Sequence, residues 1–301
     1  MSAHAEFLRA ASQDTNLATQ IKTDFRKAGL SDPDLRMLEF VEKLAQSPWL
    51  VVETDIKRLR EAGFSDVEIL HIVLGSAHFN YLNRMADGIG IQFEYKTDIP
   101  EYKIPQESSP LASADPVRGE TLHWDGSTKK PRKGAIAWIE GPVATADSGR
   151  SLEPQNLYRV MGESPEARDL AREWRCYQLR ATTALDARQR VRIALFISGW
   201  NRCDYSIYWY QRALTQLGED QSLLARLAQG KAPENLGGLD QLVFQHAARL
   251  TREPWTTREE TIEELRQAGL DDKDILQLTM LASYLSFENR VALGLGVALE
   301  L

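Results

Sequence analysis

Residues 36–94 and 242–300 of this 301-residue chain align without a gap at a constant offset of 206. Leu44, Pro48-Trp49, Glu53, Leu59-Arg60, Ala62-Gly63, Ile69-Leu70, Asn83-Arg84, Gly88, Gly90 and Glu94 all recur, and 18 of the 59 positions are identical. Unrelated sequences of ordinary composition would share roughly one position in twenty. This repetition restricts the fold more than any other feature, because two segments with the same caps and the same glycines must reverse direction at the same points. The two segments are expected to superpose as one set of helical hairpins related by a pseudo-twofold axis.

Each segment reads as helices. Ser65-Asp66-Val67-Glu68 and Thr257-Arg258-Glu259-Glu260 have capping-box spacing, and Gly63 and Gly269 stand where a helix end calls for positive φ. The last helix of the first segment carries His71, Leu74, Gly75, His78, Tyr81, Leu82 and Met85 on one stripe and Asn80, Asn83, Arg84 and Asp87 on another, so one of the two should face the core. Nothing alternates apolar and polar long enough to argue a sheet, and the expected class is an all-α bundle. Three parts are expected: a partial copy over 1–95, a Pro/Gly-rich linker or arm over 96–150, and a fuller copy over 151–301. Within the linker, the apolar patch Ala135-Ile136-Ala137-Trp138-Ile139 predicts a piece that packs back on the body, and helices should resume at Ser164-Pro165-Glu166.

The net charge of −7 comes from interspersed residues and argues against broad nucleic-acid or anionic-membrane binding. Lys129-Lys130-Pro131-Arg132-Lys133 reads as a solvated turn. The start, MSAHAEFLRA, has no leader pattern, and the run Ile275 to Phe287 is too short and too often interrupted to span a bilayer. Two cysteines make no disulfide framework; a cytoplasmic setting keeps them as thiols. His71 and His78 lie two helical turns apart and cannot share a metal ion, so no metal or other cofactor is expected.

Asn83-Arg84-Met85-Ala86-Asp87-Gly88-Ile89-Gly90 follows LREAGFSDVEIL, and Asn289-Arg290-Val291-Ala292-Leu293-Gly294-Leu295-Gly296 follows LRQAGLDDKDIL. Together with LDARQRVRIALFISGWNRCDY, these stretches resemble the alkylhydroperoxidase (AhpD-like) and carboxymuconolactone decarboxylase superfamily over about two thirds of the chain. The resemblance implies a helical bundle and a site on the helix that follows Cys203. Peroxide-reducing members carry a Glu and then Cys-x-x-Cys-x-x-x-His. Here the first Cys is Cys203, the second position is Ser206, the His position is Tyr210, and the upstream Glu falls near Val191. A serine cannot close a disulfide, and tyrosine cannot relay protons near neutrality as histidine does. The first copy would place its thiol position before residue 1, so one site per chain is expected, with the partial copy completing the bundle as neighbouring subunits do elsewhere in the superfamily.

The catalytic candidates are Cys203, Ser206, Tyr210 and His78. Cys203 also fits a plain core thiol, and His78 a satisfied core histidine. Tyr205, Tyr208, Trp209, Arg84 and Arg290 are the substrate-binding candidates: the aromatics for stacking on a ligand, the arginines, with Asn80 or Glu288, for a carboxylate. Each also has a packing or helix-terminal reading. Tyr210 is expected to point into a ligand pocket, its hydroxyl serving the ligand rather than the fold. Three functions remain open: an enzyme acting on a small organic substrate by acid–base, lyase or rearrangement chemistry, a single-cysteine peroxidase-related protein using Cys203, and a catalytically silent scaffold or ligand-binding protein. A small molecule is the expected partner, and the pattern leaves room for a homo-oligomer. For want of a resolving thiol three residues after Cys203, a peroxide assay with a dithiol reductant should show no efficient turnover; rapid turnover that vanishes in Cys203→Ser would point to the single-cysteine alternative.

Overall fold

The computed structural model describes residues 2–91, 135–140, 155–181, 183–234 and 236–300. Most of the linker expected over 96–150, including the basic cluster at 129–133, lies outside the described residues. Among the described residues there are thirteen α-helices and no strand: α1 (Ser2–Ser12), α2 (Thr15–Asp24), α3 (Asp32–Gln46), α4 (Glu53–Glu61), α5 (Asp66–Gly88), α6 (Gln155–Arg159), α7 (Pro165–Arg180), α8 (Ala187–Trp200), α9 (Asp204–Gln216), α10 (Gln221–Ala228), α11 (Gly238–Arg252), α12 (Glu259–Gln267) and α13 (Asp272–Leu295). None of them is long and apolar enough to cross a membrane.

The repeated segments share their element boundaries. α3, a 3-10 turn at Pro48–Leu50, α4 and α5 are matched, 206 residues on, by α11, a 3-10 turn at Pro254–Thr256, α12 and α13. Gly63 and Gly269 both take left-handed backbone, with φ of 104° and 108°, which a side chain would strain. Ser65 caps α5 in a reciprocal box with Glu68, and Asp271 caps α13 with Asp274. The box expected at Thr257–Glu260 is displaced by one residue: Arg258 is the N-cap, and its N–H donates to Thr261 Oγ1 at 3.0 Å, as Val52 N–H does to Asp55 at 2.8 Å. The correspondence also reaches further back than the alignment. α2 and α10 begin at the same offset, each behind an aspartate, Asp14 or Asp220, that accepts two backbone N–H groups. Leu17 and Leu223 are the only identity across that helix, too little for a sequence signal.

The two copies meet along α5 and α13, and their contacts are reciprocal. A Cβ on Gly88 would come within 2.6 Å of Thr279 and 2.8 Å of Leu250; one on Gly294 would come within 3.0 Å of Val73 and 3.2 Å of Leu44. Each contact is the other displaced by 206. Arg84 donates to the Thr251 carbonyl at 3.1 Å, and Arg290 donates to the Ala45 carbonyl at 2.7 Å, again the same pairing read from the two sides. Residue i touching j while j's counterpart touches i's counterpart is the signature of a twofold interface, here inside one chain.

Neither stripe expected on α5 is the buried one. The face against the core runs through Ile69, Leu70, Val73, Ser76, Ala77, Tyr81, Arg84 and Gly88, because small side chains at 76, 77 and 88 let α13 approach. His71, Leu74, Gly75, His78 and Leu82 are left half-buried or exposed. α13 itself is buried over almost its whole circumference. The apolar patch does pack back: Trp138 is buried, its N–H donates to the Leu295 carbonyl at 2.8 Å, and Ile136 accepts from Ala298 N–H at 2.8 Å. Arg60, bidentate on Asp66, also donates to the Trp138 carbonyl at 2.7 Å.

One buried pair differs between the copies. Phe40 and Val73 in the first become His246 and Thr279 in the second, with the imidazole Nε2 3.2 Å from Thr279 Oγ1. Burial, with the nearby Arg249 charge, lowers the His246 pKa to about 4. As pH falls the unfolded chain therefore takes up this proton first, so the contribution to stability is complete above pH 6.5, declines between about 6.5 and 4, and then levels off. At 1.36 kcal/mol per pH unit the total loss is about 3 kcal/mol. A His246→Phe/Thr279→Val double variant, which installs the first copy's pair, should flatten that part of the stability profile in urea titrations. An unchanged slope would show that other groups set it.

Candidate functional site

The turn from α8 into α9 delivers Cys203. Arg202 takes a left-handed φ of 50°, Cys203 N–H donates to the Ser198 carbonyl, and Cys203 becomes the N-cap of α9. Ser206 and Tyr210 follow at helical spacing on the same face, so three of the expected catalytic residues are brought together. The group they face is Glu288 on α13. Its Oε1 accepts from Tyr210 at 2.7 Å and from Ser206 at 3.4 Å, while Oε2 accepts from Tyr284 at 3.0 Å and from Arg175 Nε at 3.2 Å. Arg175 also lies over the Tyr210 ring, 5.3 Å from its centroid. Cys203 Sγ sits 3.5 Å from Ser206 Oγ at the edge of this network.

The cluster is sealed. Cys203 is 0% exposed and Tyr210 1%. Burial pushes the Cys203 thiol up to about 12, the neighbouring Asp204 and Glu288 charges adding to it, so the reactive thiolate is essentially absent at neutral pH. Tyr210 and Tyr284 are both raised well above the usual phenol range, first by burial and then by Glu288. Burial alone would lower Arg175, but the surrounding tyrosines and Glu288 hold it well above its ordinary value. This is an ion pair with its remaining positions filled by hydroxyl donors, the arrangement a buried charge needs. The Tyr210 hydroxyl, expected to serve a ligand, donates here to Glu288.

The other aromatics on α9 serve a second carboxylate. Tyr205 donates to Glu300 at 2.7 Å and accepts from Leu157 N–H at 3.0 Å; Trp209 Nε1 donates to Glu300 at 3.2 Å, and Asn156 N–H also donates to it. They clasp the end of the chain and the start of α6. Tyr208 is half-buried and stands 3.4 Å from Arg212. Arg84 and Arg290 each donate to a carbonyl of their own helix and to one across the interface between the copies. Burial lowers the Arg84 pKa to about 10, and it lowers that of Arg290 well below its ordinary value, the charge of Arg84 adding to the effect.

His78 stands apart from the buried cluster. It is exposed, and it lines an open groove of about 680 Å³ between α5, α7 and α13, together with Leu74, Gly75, Trp174, Tyr177 and Phe287. Trp174 joins the two regions: it borders the groove and meets the Tyr284 ring edge-on at 5.3 Å. His71, one groove-width along α5, is bonded to Ser164 Oγ at 2.9 Å. The sequence reading missed Arg175, Trp174 and Glu300, and it paired Glu288 with Arg290, which the fold separates. The signal for the groove was the i, i+4, i+7 series Ala167, Ala171 and Trp174 on α7. Among the described residues no group of three His, Cys, Asp or Glu side chains is placed to hold a metal ion.

A crystal structure of an uncharacterized peroxidase-related protein from Silicibacter sp. TM1040 is similar to part of the chain, with 20% identity, a TM-score of 0.46, and coverage of 53% of this chain and 92% of that one. No family model matches the chain. No curated protein matches it.

Tyr210→Phe removes one donor from a buried charged acceptor, and a hydrogen bond of that kind contributes about 1.5–3 kcal/mol. Chemical denaturation should report a loss of that size. A stability within about 0.5 kcal/mol of the parent would mean that Glu288 is held well enough without it.

Proposed function

We propose that the protein is an enzyme of the AhpD-like and carboxymuconolactone decarboxylase type that has given up thiol chemistry and acts on a small organic molecule by proton transfer. The observation that carries this reading is the groove between α5, α7 and α13: apolar and aromatic over nearly all of its wall, with one imidazole, His78, presented to whatever it holds. A concave apolar site with a few convergent polar groups is the usual form of a small-molecule site. His78 is the residue that would accept and return a proton at the bound molecule, imidazole being the side chain most often used for that step.

The buried Glu288 network has a positioning part in this scheme. Glu288 ties Arg175 of α7 to α13 and orients Tyr284, against which Trp174 is packed. It thereby holds the groove's walls at a set separation without touching a ligand. The single-cysteine alternative is disfavoured by the sealed, protonated Cys203. A silent ligand-binding protein would keep the groove and lose only the turnover.

The test is a substrate screen over small lactones, enols and other compounds with acidic C–H bonds, followed by two variants. His78→Gln should lower turnover by about 10²–10⁴-fold, the usual contribution of a general acid or base, with unchanged circular dichroism. Cys203→Ala should leave turnover intact. Activity lost with Cys203 and kept without His78 would reverse the assignment, and binding without turnover of any compound would favour the silent reading.

A further inference from the structure

We infer that the groove takes a flat apolar ring bearing a positively charged nitrogen. This rests on the reading of the groove as the small-molecule site and goes further by assigning the charge of the ligand. Three aromatic side chains, Trp174, Tyr177 and Phe287, line it, and a cation is attracted by the faces of such rings. Glu173 stands among them, exposed, and makes no ion pair or hydrogen bond with any described residue. Among the described residues no lysine or arginine belongs to the lining. The arginines of α7 nearest to it turn elsewhere, Arg175 to Glu288 and Arg172 over the Tyr158 ring. A carboxylate ligand would therefore meet a negative charge that no described lining residue offsets, whereas an ammonium group would find both a counter-charge and π faces.

Room for the ring comes from Gly75. A Cβ at this position meets nothing within 4 Å, while the equivalent residue of the second copy, Leu281, is fully buried. The first copy thus leaves open a volume that its counterpart fills with its own side chain. Gly75 has ordinary helical backbone, so a larger residue there would enter the groove without straining the chain.

The experiment uses the full chain and three probes of one shape: 1-naphthylmethylamine, 1-naphthalenemethanol and 1-naphthoate, titrated at low ionic strength by tryptophan fluorescence and calorimetry. The amine should bind about tenfold or more tighter than the acid, with the alcohol between them, and the gap should shrink as salt is added. The net charge of −7 favours cations everywhere on the surface, so the deciding comparison is Glu173→Gln, which should weaken the amine about three- to fivefold and leave the alcohol unchanged. Gly75→Leu should abolish binding of all three; Gly75→Ala, which suits a helix better than glycine, should weaken it and guards against a folding failure in the larger variant. Equal or tighter binding of the acid, or an amine affinity indifferent to Glu173→Gln, overturns the charge assignment while the groove stays a small-molecule site. Absence of binding by every probe, or binding untouched by Gly75→Leu, overturns both.

Discussion

The contact between α5 and α13 organises the rest of the molecule. Two helices can cross this closely only if neither presents a bulky side chain at the crossing, and Gly88 and Gly294 meet that condition from opposite sides. Arg84 and Arg290 then reach past the crossing to carbonyls at the ends of α11 and α3. Each copy's long helix is therefore anchored to the other copy's first helix of the repeat. Neither long helix can shift without breaking packing and hydrogen bonds on both sides at once, which makes this pair the frame on which the peripheral helices are mounted.

The symmetry of that frame is not carried into its surroundings. α13 is covered by α8 and α9, whereas among the described residues the equivalent face of α5 has no counterpart of α8 above it. The result is visible at matched positions: Phe79 is 45% exposed where Leu285 is buried, and Leu82 is 40% exposed where Glu288 lies inside the ion-pair network. A carboxylate at 288 is tolerated because Arg175, Tyr210, Tyr284 and Ser206 converge on it from three helices; the same group at 82 would have none of them. Asymmetric covering thus turns one of two similar helices into the wall of a sealed polar cluster and the other into the floor of an open groove.

Cys203 lies on the sealed side of this division. Reactive cysteines need exposure and a depressed pKa, and Cys203 has neither. Ser206 and Tyr210, which follow it on the same helical face, are hydroxyl donors to a buried carboxylate. The hydroxyls at these positions hold a buried carboxylate, while the accessible polar groups stand on the groove, His78 from α5 and Glu173 from α7.

The sequence by itself determined the all-α class, the repeated order of helices and turns, the left-handed glycines at 63 and 269, and the return of Trp138 to the body. These follow from local rules: periodicity, caps and steric limits on φ act over a few residues and leave their mark in consecutive letters. The family resemblance singled out Cys203, Ser206 and Tyr210, which fall on one helical face. The partner of that face, the inward turn of Arg84 and Arg290, the clasp on Glu300 and the groove at His78 were decided only by the tertiary structure. Each depends on which of two corresponding helices is covered and by what, and residues as far apart as 175, 210 and 288 meet only in the tertiary structure. A stripe of residues on α5 can be read from its period, but whether that stripe faces the core or a groove is set by the helix that approaches it, and the small residues at 76, 77 and 88 drew α13 to the other side.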